Sequence, residues 1–248
     1  MKTLIKIIII LITSVSLNAQ TTTAIITYKK AKIKKTFTDD KKEKLGKDKL
    51  KRFAAVEEET DKAANNLSFS LSYSNNHATF KVNDFMETPN NSYIKLALLP
   101  YGNGEYYNSP TERIKLMDSF GELFMIYYPK NEPEWTLQKE TKKIGKYTAY
   151  KAIIKEKVKS EKGFIYYNIT AWYTPEINIQ YGPIGYSGLP GLILELQKNN
   201  IIYYTTNIEL NPKKIVKINK PTKGKKITEE EYNDMALNAM SRYKKIRG

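Results

Sequence analysis

Few side chains here can do chemistry on their own. The 248 residues hold one histidine, His77, and no cysteine. That excludes a thiolate metal site, a cysteine nucleophile, a disulfide framework and a lipidated N-terminal cysteine. It also excludes any site that needs two imidazoles. His77 follows Asn75-Asn76, a turn signal, so it is expected at a hairpin tip in solvent. A Ser-His-Asp arrangement assembled by folding would have to use this one ring. The 26 acids offer too many pairings to single out a general acid and base. Glu57-Glu58-Glu59 lies in a stretch of helical character, where consecutive carboxylates point in three directions, so it reads as surface rather than a metal cluster. No cofactor is implied.

One segment stands apart: Ala171–Ile177, then Tyr181–Ser187, then Gly188–Ile193. Glycine and proline punctuate it at Pro175, Gly182, Pro183, Gly185, Gly188, Pro190 and Gly191, so no regular element can persist. Leu189-Pro190-Gly191-Leu192 fits a type II turn. The aromatics Trp172, Tyr173, Tyr181 and Tyr186 stud this loop, and Glu176 and Glu195 are its nearest acids. Two readings follow. As structure, the loop is a corner that turns the sheet and packs its aromatics into the core. As function, Trp172, Tyr173, Glu176, Tyr181 and Tyr186 rim a cleft and contact a ligand. The structural reading is favoured, since such backbone angles need Gly and Pro in any case.

The elements that hold this loop read mainly as strands. Leu67, Phe69, Leu71 and Tyr73 alternate with serines, and Ala78–Val82 returns after Asn75-Asn76. Further strands are expected at Thr23–Tyr28, Tyr93–Leu99, Glu105–Tyr107, Ile114–Met117, Leu123–Tyr128, Trp135–Lys139, Tyr147–Lys155, Gly163–Tyr173, Leu192–Gln197, Ile201–Glu209 and Ile215–Ile218. Short polar connections make neighbours antiparallel, and about ten strands in one meander should curl or close. A helical segment is expected from Asp39 to about Ala64, with Asp40 and Glu43 as a capping box. A second helix follows Thr228 and Glu231, another capping box. There Tyr232, Met235, Ala236, Ala239, Met240 and Tyr243 form one apolar face to lay on the sheet. The fold class is therefore mainly β: a curled antiparallel sheet or half-barrel, with an N-terminal helical segment and a C-terminal amphipathic helix.

Residues 2 to 19 read as a secretory signal. Lys2 and Lys6 precede an apolar run, and small Ala19 stands before Gln20. The apolar run is too short to span a bilayer, so the processed chain, residues 20–248, is expected as one exported domain that does not cross the membrane. The formal charge of +15 invites a search for nucleic acid. Yet only Arg52, Arg113, Arg242 and Arg247 are arginine, and phosphate recognition favours that planar fork. No specific nucleic-acid binding is expected. A surface-adhering basic protein would instead gather its lysines on one face.

Taken together, Trp172–Glu176, Gly182-Pro183 and Gly188–Glu195 resemble the signature of the GLPGLI family, secreted proteins of Bacteroidetes-type bacteria. The family is named for the hexapeptide that falls at Gly188–Ile193. A second block, Trp135–Leu137 through Glu140–Ile144 and Tyr147 to Ala152, is also similar; Leu67–Tyr73 and Asn18–Gln20 agree more loosely. Where relatives often carry a cysteine, between Tyr147 and Lys151, this chain has Ala149. The resemblance implies an exported envelope protein of unknown function, found in the periplasm, at the outer-membrane surface or outside the cell. It implies no catalytic residues, and an outer-membrane TonB-dependent receptor as a possible partner. The expected function is a non-enzymatic binding or accessory module that holds a peptide, lipid or receptor segment in a concave sheet face. The alternative is an envelope hydrolase using carboxylates, or His77 with a serine.

Overall fold

The computed structural model describes residues 22–34, 46–85, 91–99, 101–129, 133–161 and 163–247. The signal-like residues 2–19 and the expected Asp40–Glu43 capping box lie outside them. The described residues form a twelve-stranded sheet and three helices. The strands are β1 (Thr23–Lys32), β2 (Phe69–Ser74), β3 (His77–Val82), β4 (Glu105–Asn108), β5 (Arg113–Ser119) and β6 (Glu122–Tyr127), then β7 (Thr136–Ile144), β8 (Tyr147–Ser160), β9 (Gly163–Thr174), β10 (Leu192–Lys198), β11 (Ile201–Leu210) and β12 (Lys225–Thr228). The helices are α1 (Lys47–Asn66), α2 (Asn91–Leu98) and α3 (Glu229–Arg247).

The sheet runs β12-β6-β5-β4-β3-β2-β1-β11-β10-β9-β8-β7, open at β12 and β7. It is not one meander, as expected, but two that diverge from a central β1: one wing is β2 to β6, the other β11 back to β7. Every pair is antiparallel except β12 with β6. The β2–β3 hairpin turns on Asn75 and Asn76, both at positive φ (49° and 62°), the conformation a two-residue primed turn needs. Alternation fills the concave face. Ala24, Ile26 and Tyr28 of β1 are fully buried beside Phe69, Leu71 and Tyr73 of β2 and Phe80 of β3. The rings of Phe69, Phe80 and Tyr203 pack edge to face or stacked at 5.2–5.7 Å.

Three expected elements differ. Tyr93–Leu99 is helix rather than strand: Ile94, Ala97 and Leu98 fall at helical spacing and pack against the core, and a short apolar run fits either period. Ile215–Ile218 is not a strand. Residues 211–224 cross the convex face, where Ile218 covers Tyr107, Ile114 and Met125 while Ile215 is 78% exposed. The strand in that region is the later Lys225–Thr228. Helix α1 begins at Lys47 with Gly46 as its N-cap, later than the expected start at Asp39.

The terminal helix carries its expected cap: Thr228 Oγ1 accepts from the Glu231 amide, and Glu231 accepts from the Thr228 amide. Its apolar face, however, is not core. No α3 side chain among the described residues is fully buried, and Met240 is 58% exposed. The helix instead bridges the two wings. Tyr232 bonds Ser119 Oγ (3.0 Å) and abuts Phe124 on the β5–β6 side. Asp234 and Lys244 pair with Lys159 and Glu161 at the β8–β9 tip, each at 2.7 Å. Among the described residues no helix is long and apolar enough to cross a membrane.

Lys30 occupies the concave side of β1 and is buried. Its ammonium donates to the carbonyls of Ala97 (2.8 Å), Leu98 and Leu99 (both 3.3 Å), at the negative end of α2. Burial, then Lys32, lowers its pKa to about 7. Between pH 7 and 10.5 the unfolded chain therefore keeps a proton the folded chain has released, and folding stability gains with pH by at most ~1.4 kcal/mol per unit. Lys30→Met should abolish that rise. It should also cost about 1–2 kcal/mol at pH 9, because the carbonyls at the end of α2 lose the amine N–H donors. Urea unfolding midpoints of both proteins at pH 7 and 9 check this.

Candidate functional site: a tyrosine-lined cavity

The glycine–proline segment turns the chain inward rather than around a corner. After β9, Ile177 and Ile179 are buried, and a narrow tongue follows from Tyr181 to Ser187, every residue of it buried. Its backbone groups find partners within the segment. Tyr181 bridges Ser187, the Gly182 amide donates to Tyr186 O (2.8 Å), and the Tyr186 amide to Pro183 O (3.2 Å). Pairing of that kind is required of backbone taken out of water. The tip is a 3₁₀ turn, Pro183–Gly185, with Ile184 at φ 49° and Gly185 at φ 81°. Asn108 of β4 donates to Gly185 O (3.0 Å), Tyr181 Oη to Asn76 O (2.7 Å), and Trp135 Nε1 to Ser187 O (2.8 Å). Both wings therefore hold the tongue.

The hexapeptide region closes it. The Gly191 amide bonds Leu189 O across Pro190, a γ-turn rather than the expected type II turn, and the Leu192 amide goes to Ile177 O. Leu189, Leu192 and Ile193 are buried, and Ile193 O accepts from Tyr28 Oη at 2.6 Å. Gly191 sits at φ 144°, where a Cβ would overlap the Thr174 carbonyl. Pro175 thus follows β9, and Gly182, Pro183, Gly188, Leu189, Pro190 and Gly191 lie in the inward-turned segment that leads to β10.

The five residues weighed as ligand contacts do not share a site. Trp172 is on the convex face under Lys142, whose ammonium is 4.4 Å from the ring and 2.8 Å from Glu195. Glu176 is exposed and accepts from the Thr148 amide (2.8 Å). Tyr173 and Tyr181 are buried in the core. Of the five, Tyr186 lines the cavity described below. His77 lies at the hairpin tip as expected, bonded to Asn75 O and beside Tyr107 on the convex face. Ser187 is buried in the concave filling, so nothing joins the two.

The cavity is about 480 Å³ and opens between the wings, with Ile184 and Tyr186 of the tongue as its floor. Tyr101, Tyr106, Tyr128, Tyr167 and Tyr186 line it with Arg113, Lys115, Glu156, Lys198, Glu229 and Asn233. On one side Lys198 pairs with Glu156 (2.7 Å) and donates to Tyr186 Oη (3.1 Å), which itself donates to Glu156. On the other, Arg113 rests over the Tyr128 ring (5.1 Å) and Lys115 over Tyr106 (5.0 Å). No carboxylate among the described residues pairs with either cation, and Arg113 Nε is buried without a hydrogen-bond partner. Burial lowers the Lys115 pKa. Glu229, at the start of α3, is raised by burial and then by Glu156. Burial, then Glu156, raises the Tyr186 hydroxyl well above the ordinary tyrosine value. Arg113 and Lys115 escape a reading of the sequence because β5 faces opposite to its hydrophobicity: Ile114 serves the small convex cluster, and the charged alternates point inward. Among the described residues no group of His, Cys, Asp or Glu is placed to hold a metal ion.

Comparison with known proteins adds a short family match and a partial likeness. Residues 165–195 match the model of a family described as a protein of unknown function (Porph_ging), a stretch that covers most of β9, the tongue, the hexapeptide and the start of β10. No curated protein matches. Among solved structures, PNGF-II in its C2 and P21 crystal forms is similar over 86% of this chain at 15% identity, with TM-scores of 0.47 and 0.46. The chain spans about a third of that protein's length, 32% and 33%. At that level of likeness no function passes from one protein to the other.

Gly191→Ala should cost more than about 3 kcal/mol, since a side chain there meets both positive φ and a backbone clash. Gly145→Ala, at the exposed β7–β8 turn with nothing near its would-be Cβ, should cost about 1 kcal/mol from φ alone. Chemical denaturation of the two variants provides the comparison.

Proposed function

We propose that this is a non-enzymatic binding module of the cell envelope, whose concave cavity holds a polar segment of a small ligand or peptide. One observation carries the reading: a cavity of about 480 Å³ inside the curled sheet, lined by five tyrosines and by Arg113 and Lys115, neither of which forms a salt bridge among the described residues. Concave, partly apolar sites with a few convergent polar groups are where ligands bind. The charged lining favours a polar ligand over the lipid also considered from the sequence. The exported address and an outer-membrane receptor as partner belong to the same proposal. They are supported by the signal-like residues 2–19 and by the resemblance of Trp172–Glu176, Gly182-Pro183 and Gly188–Glu195 to the GLPGLI signature.

Ile154 lines the cavity from β8 and is half-buried. Ile154→Trp should fill the space and remove ligand while leaving the urea midpoint within about 1 kcal/mol of wild type. Native mass spectrometry of protein taken from its own envelope should show a bound mass that this variant lacks. An identical ligand-free spectrum for both would reject the cavity as a binding site.

A second reading, hydrolysis by a carboxylate pair, is favoured by one feature. Glu156 and Glu229 face the same cavity in unlike surroundings, one beside Lys198 and the other raised by burial. On this reading Glu229 is the acid, and Glu229→Gln should lower hydrolysis of a glycoside or ester panel by roughly 10²-fold or more. Equal turnover by variant and wild type would remove it.

A further inference from the structure

Building on the cavity reading above, we infer that Arg113 and Lys115 form a subsite for a carboxylate group of the ligand. The two side chains leave β5 at alternate positions and enter the cavity together. Each is seated on an aromatic face, Tyr128 and Tyr106, rather than on an acid, which holds the cation in place without consuming its N–H groups. Arg113 Nε is buried without a hydrogen-bond partner, so the protein does not use the full donor capacity of this guanidinium.

The charge of the lining selects the class of anion. Arg113, Lys115 and Lys198 face Glu156 and Glu229. Lys198 and Glu156 form an ion pair, and Glu229 faces the remaining two cations. The lining therefore carries a single excess positive charge, which a monoanion balances and a phosphate dianion overshoots. The guanidinium fork is planar and matches a carboxylate through two parallel bonds. Tyrosine hydroxyls and the Asn233 amide are left to address the body of the ligand.

Only four arginines occur in the chain, so the experiment is spectroscopic. Protein labelled with ¹⁵N-arginine gives four Nε–H resonances, and the one missing from Arg113→Gln is Arg113. Sodium acetate should shift that resonance saturably, with a midpoint of roughly 1–50 mM for so small a probe. Sodium chloride at equal ionic strength should not shift it, and inorganic phosphate should be at least tenfold weaker than acetate. Lys115→Met should weaken the acetate midpoint by about fivefold or more. Two matched pairs then distinguish the sources of the carboxylate: glucuronate with glucuronamide, and acetyl-Ala-Ala with its C-terminal amide. In the pair related to the natural ligand, the acid should bind at least tenfold more tightly than the amide. Equal effects of acetate and chloride, preference for phosphate, or an unchanged midpoint in Lys115→Met would each overturn the carboxylate subsite. If the amides bind as well as the acids and Ile154→Trp abolishes both, the cavity reading stands and this inference alone falls.

Discussion

The tongue from Tyr181 to Ser187 is a length of irregular backbone buried inside a sheet, and the rest of the architecture answers that constraint. Loops normally stay at the surface because water satisfies their amides and carbonyls. Here the segment pairs across itself, and side chains from three distant places, Asn108, Trp135 and Tyr28, supply the hydrogen bonds that the segment and its closing hexapeptide cannot make internally. Positive φ at Ile184, Gly185 and Gly191 lets the chain double back within the width of the concavity. Without the tongue, the faces of β1 to β4 and of β8 to β10 would have no common apolar partner, and the sheet would have no reason to curl at this radius.

The same constraint explains why the cavity is polar. The glycine–proline segment and the start of β10 fill the middle of the concave face with Ile177, Ile179, Leu189 and Ile193. Beyond the tongue the wings continue, and Ile154 and Val158 share the space between them with polar side chains. Charged and tyrosyl side chains occupy the margin: Lys198 pairs with Glu156 and Tyr186, while Arg113 and Lys115 rest on ring faces.

Most strands were legible because a half-buried strand announces itself by alternation. Leu67 to Tyr73, the Asn75-Asn76 turn and the Thr228–Glu231 cap needed no tertiary information. The reading failed where one pattern serves two surfaces. Tyr93–Leu99 is apolar enough for a strand, but Lys30 offers its ammonium to the carbonyl end of a helix there. In β5 the apolar residues are on the convex side because residues 211–224 cover them, a long-range event that no window of sequence contains. Of the residues singled out in the aromatic loop, Tyr186 borders the cavity, whereas Trp172 and Glu176 are on the outside and Tyr173 and Tyr181 are in the core.

Helix α3 gives the molecule two kinds of boundary. The floor of the cavity is sealed by buried backbone pairing, which dissolved ions do not reach. The span from one wing to the other ends in Lys159–Asp234 and Lys244–Glu161, both in solvent, and such attractions fade within a Debye length of about 8 Å at physiological ionic strength. Dilute and saline surroundings thus act unequally on this protein: the aperture responds to the medium while the bottom of the bowl keeps its shape.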